Sequence, residues 1–560
     1  MLFQREMDNQ PATFSSRSSL VQLWPWLAVL LVLLFVGFIR FRLLDMPLER
    51  DEGEYAYAGQ LILQGIPPYE LAYNMKLPGT YYAYAAGMAV FGQTVAGIHL
   101  TLIAANSLTI IFVFLLVRKL SGATAGLVAC ASYGILSVSP AVMGMAAHAN
   151  HFVVLFAVPA TWLLWKAGGS SRPALWFFSG LLYGLAFVMK QQGICFCLFG
   201  WAFLLFLARE GKPLFPVQFM GKAFCFGLGM ILPFAGVCLL MALVGVFSRF
   251  WFWTFTYAGA YVTGESLRGG WGLFCAYFQK KLVIYAGFFV LAIAGLLVSR
   301  RNKDASRQTG FVLGFLFCSF LGTAAGLYFR EHYFILSLPA LAAMVGLAVC
   351  SLQRALSEMA MMKQFSAAVP LALFAVVLGC NIFYQRQLLL QLPANQVCQI
   401  IYRPDPFVGA PVLAGYIHDH SAADERVAVI GSEPEIYFYS QRRSATGYIY
   451  TYPLMEPQPY AQMMQREMMA EIEASRPEYL VWVSYDNSWN VRPSSDRAVF
   501  DWFARYLNDF YDKIGVVNGD VADGFVSSRD SAASNNRNSA GQELVLYRRK
   551  SDPVAFTNRD

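Results

Sequence analysis

Eleven apolar runs constrain this chain more than anything else in it. They fall near 24–39, 95–117, 121–140, 150–165, 174–189, 193–208, 223–247, 282–299, 311–328, 333–353 and 367–384. At about 1.5 Å rise per residue each can cross roughly 30 Å of hydrocarbon, some with little to spare. A backbone in lipid must satisfy its own polar groups, so such runs fold as helices. Composition agrees: 57% of residues are hydrophobic and 14% charged, where a soluble domain carries about 25% charged. The sequence therefore predicts a polytopic α-helical membrane protein.

Charge is divided along the chain. Residues 1–390 hold 26 Lys/Arg against 13 Asp/Glu, and residues 391–560 hold 16 against 22. The basic excess lies in the membrane part and reads as a topology signal, not as nucleic-acid affinity. Arg118-Lys119, Lys166, Arg209, Arg300-Arg301 and Arg354 mark the inner loops. The N-terminus is then inside and the C-terminal part outside. Arg40, Arg42, Lys280 and Lys281 run against that pattern. Residues 1–20 are polar and Ser-rich and read as a cytoplasmic segment. The first run lacks a small-residue cleavage site and reads as a retained helix. Residues 21–390 form the membrane domain and 391–560 an outer α/β domain. There, strands at 426–431 and 478–483 flank a helix at 457–474, an order that suggests a parallel sheet. Another strand is expected at 544–547 and a flexible Ser/Asn-rich loop at 527–541. Ten cysteines form neither a disulfide framework nor a zinc pattern.

On this topology several polar clusters share the outer face. Glu49-Arg50-Asp51-Glu52-Gly53-Glu54 follows the first span at once. Charge at that level is costly unless solvated or paired. Asp51 can cap a short helix, with Glu54 as its capping-box partner and Gly65 closing it. Alternatively Asp51 or Glu52 is a general base at the membrane face. His148 and His151 lie three apart and would need further ligands, such as Asp51 or Glu52, to hold a metal. No metal is assigned, and a divalent ion stays open. Lys190 either snorkels or contacts sugar or phosphate. Arg330 either pairs Glu331 or binds phosphate through its guanidinium fork. His418-Asp419-His420 reads as a solvated turn. Trp251, Trp253 and Trp271 read as an interfacial belt, or as a cover for a lipid.

Five motifs in order carry a resemblance: Asp51-Glu52-Gly53-Glu54-Tyr55-Ala56, Lys76-Leu77-Pro78-Gly79, Ala147-His148-Ala149-Asn150-His151-Phe152, Met189-Lys190-Gln191-Gln192-Gly193, and Arg330-Glu331-His332-Tyr333-Phe334. Over about residues 20–390 the chain resembles bacterial family-39 glycosyltransferases of the GT-C superfold, relatives of protein O-mannosyltransferases and lipid A aminoarabinose transferases. The tail is similar to the outer domain of one bacterial subgroup through Gly431–Tyr437 and Pro477–Tyr479. The resemblance implies transfer of a sugar from a polyprenyl phosphate to a glycan, lipid or protein hydroxyl, outside the bacterial cytoplasmic membrane and with inversion. It implies that Asp51 deprotonates or orients the acceptor hydroxyl; Glu52 then reads as a support or metal-side carboxylate. Lys76 and Arg330 would hold the donor phosphate. Glu54, Tyr55, Asn150, His151, Lys190, Gln191, His332 and Tyr333 would contact sugar or acceptor. Many relatives carry an acid where Asn150 stands, and asparagine cannot take a proton. A flippase for lipid-linked sugar, or a glycan-binding protein without catalysis, are the alternatives.

Overall fold

The computed structural model describes residues 19–210, 217–519, 524–527 and 542–550. The expected N-terminal segment lies outside them except for its last two residues, and the expected loop at 527–541 does so beyond Ser527.

Among the described residues nine helices are long and apolar enough to span a bilayer. Two shorter apolar helices, Ala123–Ser137 and Pro173–Met189, complete the eleven expected runs. Outward side chains such as Leu31, Phe224, Leu243 and Val290 are well exposed, a surface that only lipid would cover. The chain is thus a multi-pass membrane protein with its apolar faces on the outside.

Close packing explains the short helices. Lipid tails are as apolar as leucine, so helices associate in membranes through tight contact between small residues. Gly180 and Gly184 bring Pro173–Met189 against the backbone of Val217–Leu243. A Cβ at these positions would lie 2.1 Å from the Phe226 carbonyl oxygen and 2.3 Å from that of Met230. Gly229 makes the reciprocal approach, 2.2 Å from the Phe177 oxygen. The most enclosed span is Glu331–Glu358, whose helix Leu338–Glu358 packs on Leu267–Ser299 and Ala123–Ser137. Its leading end carries His332 and Tyr333, with Arg330 just before it, so the most buried of the described spans presents these side chains.

The tail contains a six-stranded sheet: β1 Arg426–Ile430, β2 Arg443–Ser444, β3 Tyr479–Val483, β4 Tyr511–Asn518, β5 Val526–Ser527 and β6 Glu543–Arg549. Its order is β2-β1-β3-β6-β4-β5. The parallel pairing of β1 and β3 holds, and helix Ala461–Ser475 between them buries Met464, Met468 and Ile472 at four-residue spacing. The sheet as a whole is mixed, because β6 runs antiparallel to both β3 and β4. Strand β4 mixes Asp512 and Lys513 with its apolar residues. These two exposed charges leave only a short apolar run at 514–517 to recognise.

Two smaller expectations change. His418 and His420 end the helix Ala410–His420 instead of forming a solvated turn; His418 Nδ1 lies 3.1 Å from the Ser440 carbonyl oxygen. Trp251 and Trp271 are exposed as a belt requires, whereas Trp253 is buried between Tyr73, stacked at 5.6 Å, and Tyr448 of the tail.

Candidate active site

The acidic stretch folds as the helix Arg50–Leu63. Its cap is Glu49, not Asp51. The Glu49 carboxylate accepts the Glu52 N–H at 2.9 Å, and Glu52 Oε2 accepts the Glu49 N–H at 3.4 Å. The capping box therefore sits two residues earlier than expected, and Asp51 is released from capping. Gln64 and then Gly65, at φ +81°, end the helix as expected.

Helical spacing sorts the side chains. Arg50, Gly53 and Tyr57 lie three and four residues apart on the face towards the tail. Asp51, Glu54 and Tyr55 turn towards Lys76. Lys76 Nζ lies 2.8 Å from Asp51 Oδ1 and 2.6 Å from Glu54 Oε2, above the Tyr55 ring at 4.5 Å. Tyr81 donates to the other Glu54 oxygen at 2.5 Å. The Asp51 side chain keeps 21% of its surface exposed, against 1% for Glu54 and none for Glu52. A substrate hydroxyl can reach only the first of these three.

The second Asp51 oxygen meets two other motifs. His332 Nε2 lies 3.7 Å from Oδ2 and His148 Nδ1 3.9 Å. The two imidazoles stack at 4.3 Å. Lys190 sits over the Tyr333 ring at 4.4 Å, and Arg330 Nη2 donates to the Tyr261 hydroxyl at 3.4 Å rather than pairing Glu331. Lys190 is buried rather than snorkelling. Side chains from all five motifs singled out in the sequence thus gather around Asp51.

Other expected contacts are used to stitch the cleft together. Asn150 Nδ2 donates to the His332 carbonyl oxygen at 2.6 Å, and Gln191 Nε2 to that of Met75 at 2.6 Å. Glu52 Oε1 accepts the Ala147 N–H at 2.6 Å and lies 3.3 Å from His99 Nε2. Buried polar groups need such partners. His151 is buried in the first turn of Ala149–Gly168, outside the cluster that His148 forms with Asp51.

Burial and charge set the protonation states. Burial raises the Asp51 carboxyl, but the Lys76 ammonium overcomes this and holds it well below the usual carboxylate range. Burial raises Glu54 despite Lys76. Burial also lowers Lys190 to about 7 and His148 to about 4. An ionised, partly exposed carboxylate thus faces a neutral imidazole beside a lysine poised near neutrality.

The sequence reading missed the tail's contribution. Tyr450 places its hydroxyl 3.0 Å from the Arg50 carbonyl oxygen and 3.4 Å from Asp51 Oδ1. The signal was Tyr448-Ile449-Tyr450-Thr451-Tyr452, an alternation that points aromatic residues one way. Asp51, His148 and His332 offer donor atoms within 4.8 Å of one another. One carboxylate and two imidazoles suit a first-row divalent ion such as zinc.

Comparison with known proteins defines the class first. The fold is similar to ArnT from Cupriavidus metallidurans in the apo state, with a TM-score of 0.58, 15% identity, and 94% of this chain and 98% of that one covered. ArnT bound to undecaprenyl phosphate gives 0.57 at 15% identity, covering 84% and 95%. The archaeal oligosaccharyltransferase AglB from Archaeoglobus fulgidus, in complex with an inhibitory peptide and a dolichol-phosphate, gives 0.52 at 12% identity, covering 95% and 77%. The fold is thus of the same class as these membrane proteins. Residues 76–235 match the family model described as dolichyl-phosphate-mannose-protein mannosyltransferase. A stretch of 155 residues is 30% identical to the undecaprenyl phosphate-α-4-amino-4-deoxy-L-arabinose arabinosyl transferase of Pseudomonas aeruginosa, covering 25% of this chain and 27% of that protein. The match thus spans about a quarter of the curated relative's length.

Proposed function

We propose that this protein is a membrane glycosyltransferase that moves one sugar from a polyprenyl phosphate to an acceptor hydroxyl at the outer face of the bacterial cytoplasmic membrane. Residues 21–390 would form the catalytic membrane domain and 391–560 an outer domain, with the N-terminus inside. One observation carries the reading: the partly exposed carboxylate of Asp51 lies within electrostatic reach of two cations, Lys190 and Arg330, neither of which forms an ion pair with a carboxylate among the described residues.

Displacement at an anomeric carbon needs a base for the acceptor and positive charge for the departing phosphate. Asp51 takes the acceptor proton as the acceptor oxygen bonds to the sugar. The sugar–phosphate bond breaks, and the phosphate keeps the electron pair. Arg330 suits two phosphate oxygens, and Lys190 gains its proton as phosphate approaches. Lys76 is held by Asp51 and Glu54, so its task here is to keep Asp51 ionised and turned into the cleft. A divalent ion, if bound, would be held by Asp51, His148 and His332 and would supply Lewis-acid stabilisation of phosphate oxygens. The acid beside Asp51, Glu54, is buried under Lys76 and Tyr81, so among the described residues of this cluster one carboxylate is in reach, which supports inversion. The names of the relatives point to undecaprenyl-phosphate-linked aminoarabinose as the first donor to try. Incubation of purified protein with that donor and cell-envelope acceptors, read by mass spectrometry, should yield glycosylated product and free undecaprenyl phosphate. No product from any polyprenyl-phosphate sugar would refute the reading.

A further inference from the structure

The tail is seated on the acidic helix by contacts that begin one residue before Asp51. Arg50 donates through Nε to the Ser432 carbonyl oxygen at 2.6 Å, and through Nη2 to Glu433 at 2.8 Å and Asp405 at 3.0 Å. Glu433 is itself fixed by the Ser488 hydroxyl at 2.6 Å. One turn on, Gly53 leaves no room: a Cβ there would lie 2.6 Å from the Glu435 backbone nitrogen. A further turn on, the Tyr57 hydroxyl accepts the Ser444 N–H at 2.7 Å. Three consecutive turns of one face are locked, so the rotation of the helix, and with it the direction of Asp51, is set by the tail.

Tyr450 completes this arrangement from the same side. It is buried, and its single hydroxyl proton lies between the Arg50 carbonyl oxygen at 3.0 Å and Asp51 Oδ1 at 3.4 Å. Lys76 approaches that same oxygen at 2.8 Å. Oδ1 therefore has Lys76 as its close donor and shares the Tyr450 proton with the nearer Arg50 carbonyl oxygen. Among the described residues Oδ2 has no donor within hydrogen-bond distance, its nearest charged or titratable neighbours being the imidazoles at 3.7 and 3.9 Å.

We propose that Tyr450 is a positioning residue which, with Lys76, holds Oδ1 so that Oδ2 is the oxygen that takes the acceptor proton. The assignment rests on the transferase reading for its second half only. In that step the acceptor O–H proton moves to Oδ2, the acceptor oxygen bonds to the anomeric carbon, and the sugar–phosphate bond breaks with its electrons leaving on phosphate.

Two measurements on full-length protein in lipid nanodiscs test it. The first is carbodiimide labelling of carboxyl groups, quantified by peptide mass spectrometry, which needs no donor. Tyr450→Phe removes one hydroxyl and keeps the ring, so labelling of Asp51 should rise about threefold while Glu54 stays unchanged. Unchanged Asp51 labelling overturns the positioning role. The second is kinetics with undecaprenyl-phosphate-linked aminoarabinose as probe donor. Tyr450→Phe should lower kcat about 10-fold and move KM for the donor less than about twofold, at an unaltered melting temperature. A raised KM at unchanged kcat, or a fall explained by lost folded protein, overturns the assignment of Oδ2. Full turnover by Asp51→Asn would remove the base from the transferase reading, while the labelling result on Tyr450 would stand.

Discussion

Replacing Asp51 by asparagine separates chemistry from architecture. Asparagine keeps the shape of the side chain and an oxygen for Lys76, which also retains Glu54 at 2.6 Å. Asp51 caps nothing, because Glu49 performs that task. The cost to stability is therefore that of one weakened charge-assisted hydrogen bond, about 1 kcal/mol. The cost to turnover is that of a general base, roughly 10²–10⁴-fold, or about 3–5 kcal/mol of barrier. Donor affinity should hold, since Lys190 and Arg330 are untouched. The assay pairs single-turnover release of undecaprenyl phosphate with a thermal melt in the same nanodiscs. A melting temperature within a few degrees of wild type, with product formation down at least a hundredfold, is the expected outcome. Wild-type turnover would refute the base assignment. A collapsed melt would refute the claim that Asp51 is free of structural duty.

Other expectations follow from single contacts. Glu52→Gln keeps an acceptor for the Ala147 N–H, so turnover should stay within about threefold of wild type, whereas Glu52→Ala should lower the melt by leaving that buried donor unpaired, about 1–3 kcal/mol. Lys190, at about 7, loses its proton as pH rises through neutrality, so affinity for a phosphodiester donor should weaken from pH 6 to 8.5 in wild type and stay flat in Lys190→Arg, measured by calorimetry. Stability runs the opposite way: between about 7 and the ordinary lysine value the unfolded chain binds the proton and the folded chain does not, so this residue's contribution rises with pH in that window. Gly53→Ala forces the acidic helix off the backbone of Glu435 and should lower both the melt, by about 1–3 kcal/mol, and kcat; an unchanged kcat would detach the tail from the site.

The bundle was legible because its signal is coarse. An apolar run long enough to span announces itself, and all eleven appear as helices. The meeting of Asp51, Lys76, His148, Lys190 and His332 was legible only through topology, which puts their loops on one face without saying which atoms touch. Capping was misread because a box at Asp51–Glu54 and one at Glu49–Glu52 fit the same pattern, and only the chain's path out of the first span decides between them. Asn150 looked like a sugar contact because its polarity was visible and the His332 carbonyl oxygen, 182 positions away, was not. Tyr450 escaped for the same reason, and so did strand β4, whose partners lie across the sheet.

Where the buried charges lie favours the proposed transferase over a carrier. A carrier of lipid-linked sugar would need polar or ionisable groups strung along a path through the membrane. Among the described residues, the buried charged groups and histidines of the helical part are Arg40, Glu49, Glu52, Glu54, Lys76, His99, His148, His151, Lys190 and His332. Arg40 donates to the carbonyl oxygens of Gly144 and Ser137, on the turn that also carries His148, and His99 meets Glu52. All ten therefore lie at one end of the helices. Elsewhere in the bundle buried hydroxyls return to their own helix backbone, as Ser132 does to Val128 and Thr161 to Ala157. Such an arrangement concentrates the charged groups at one end of the helices, which suits the proposed transfer better than a charged path through the membrane.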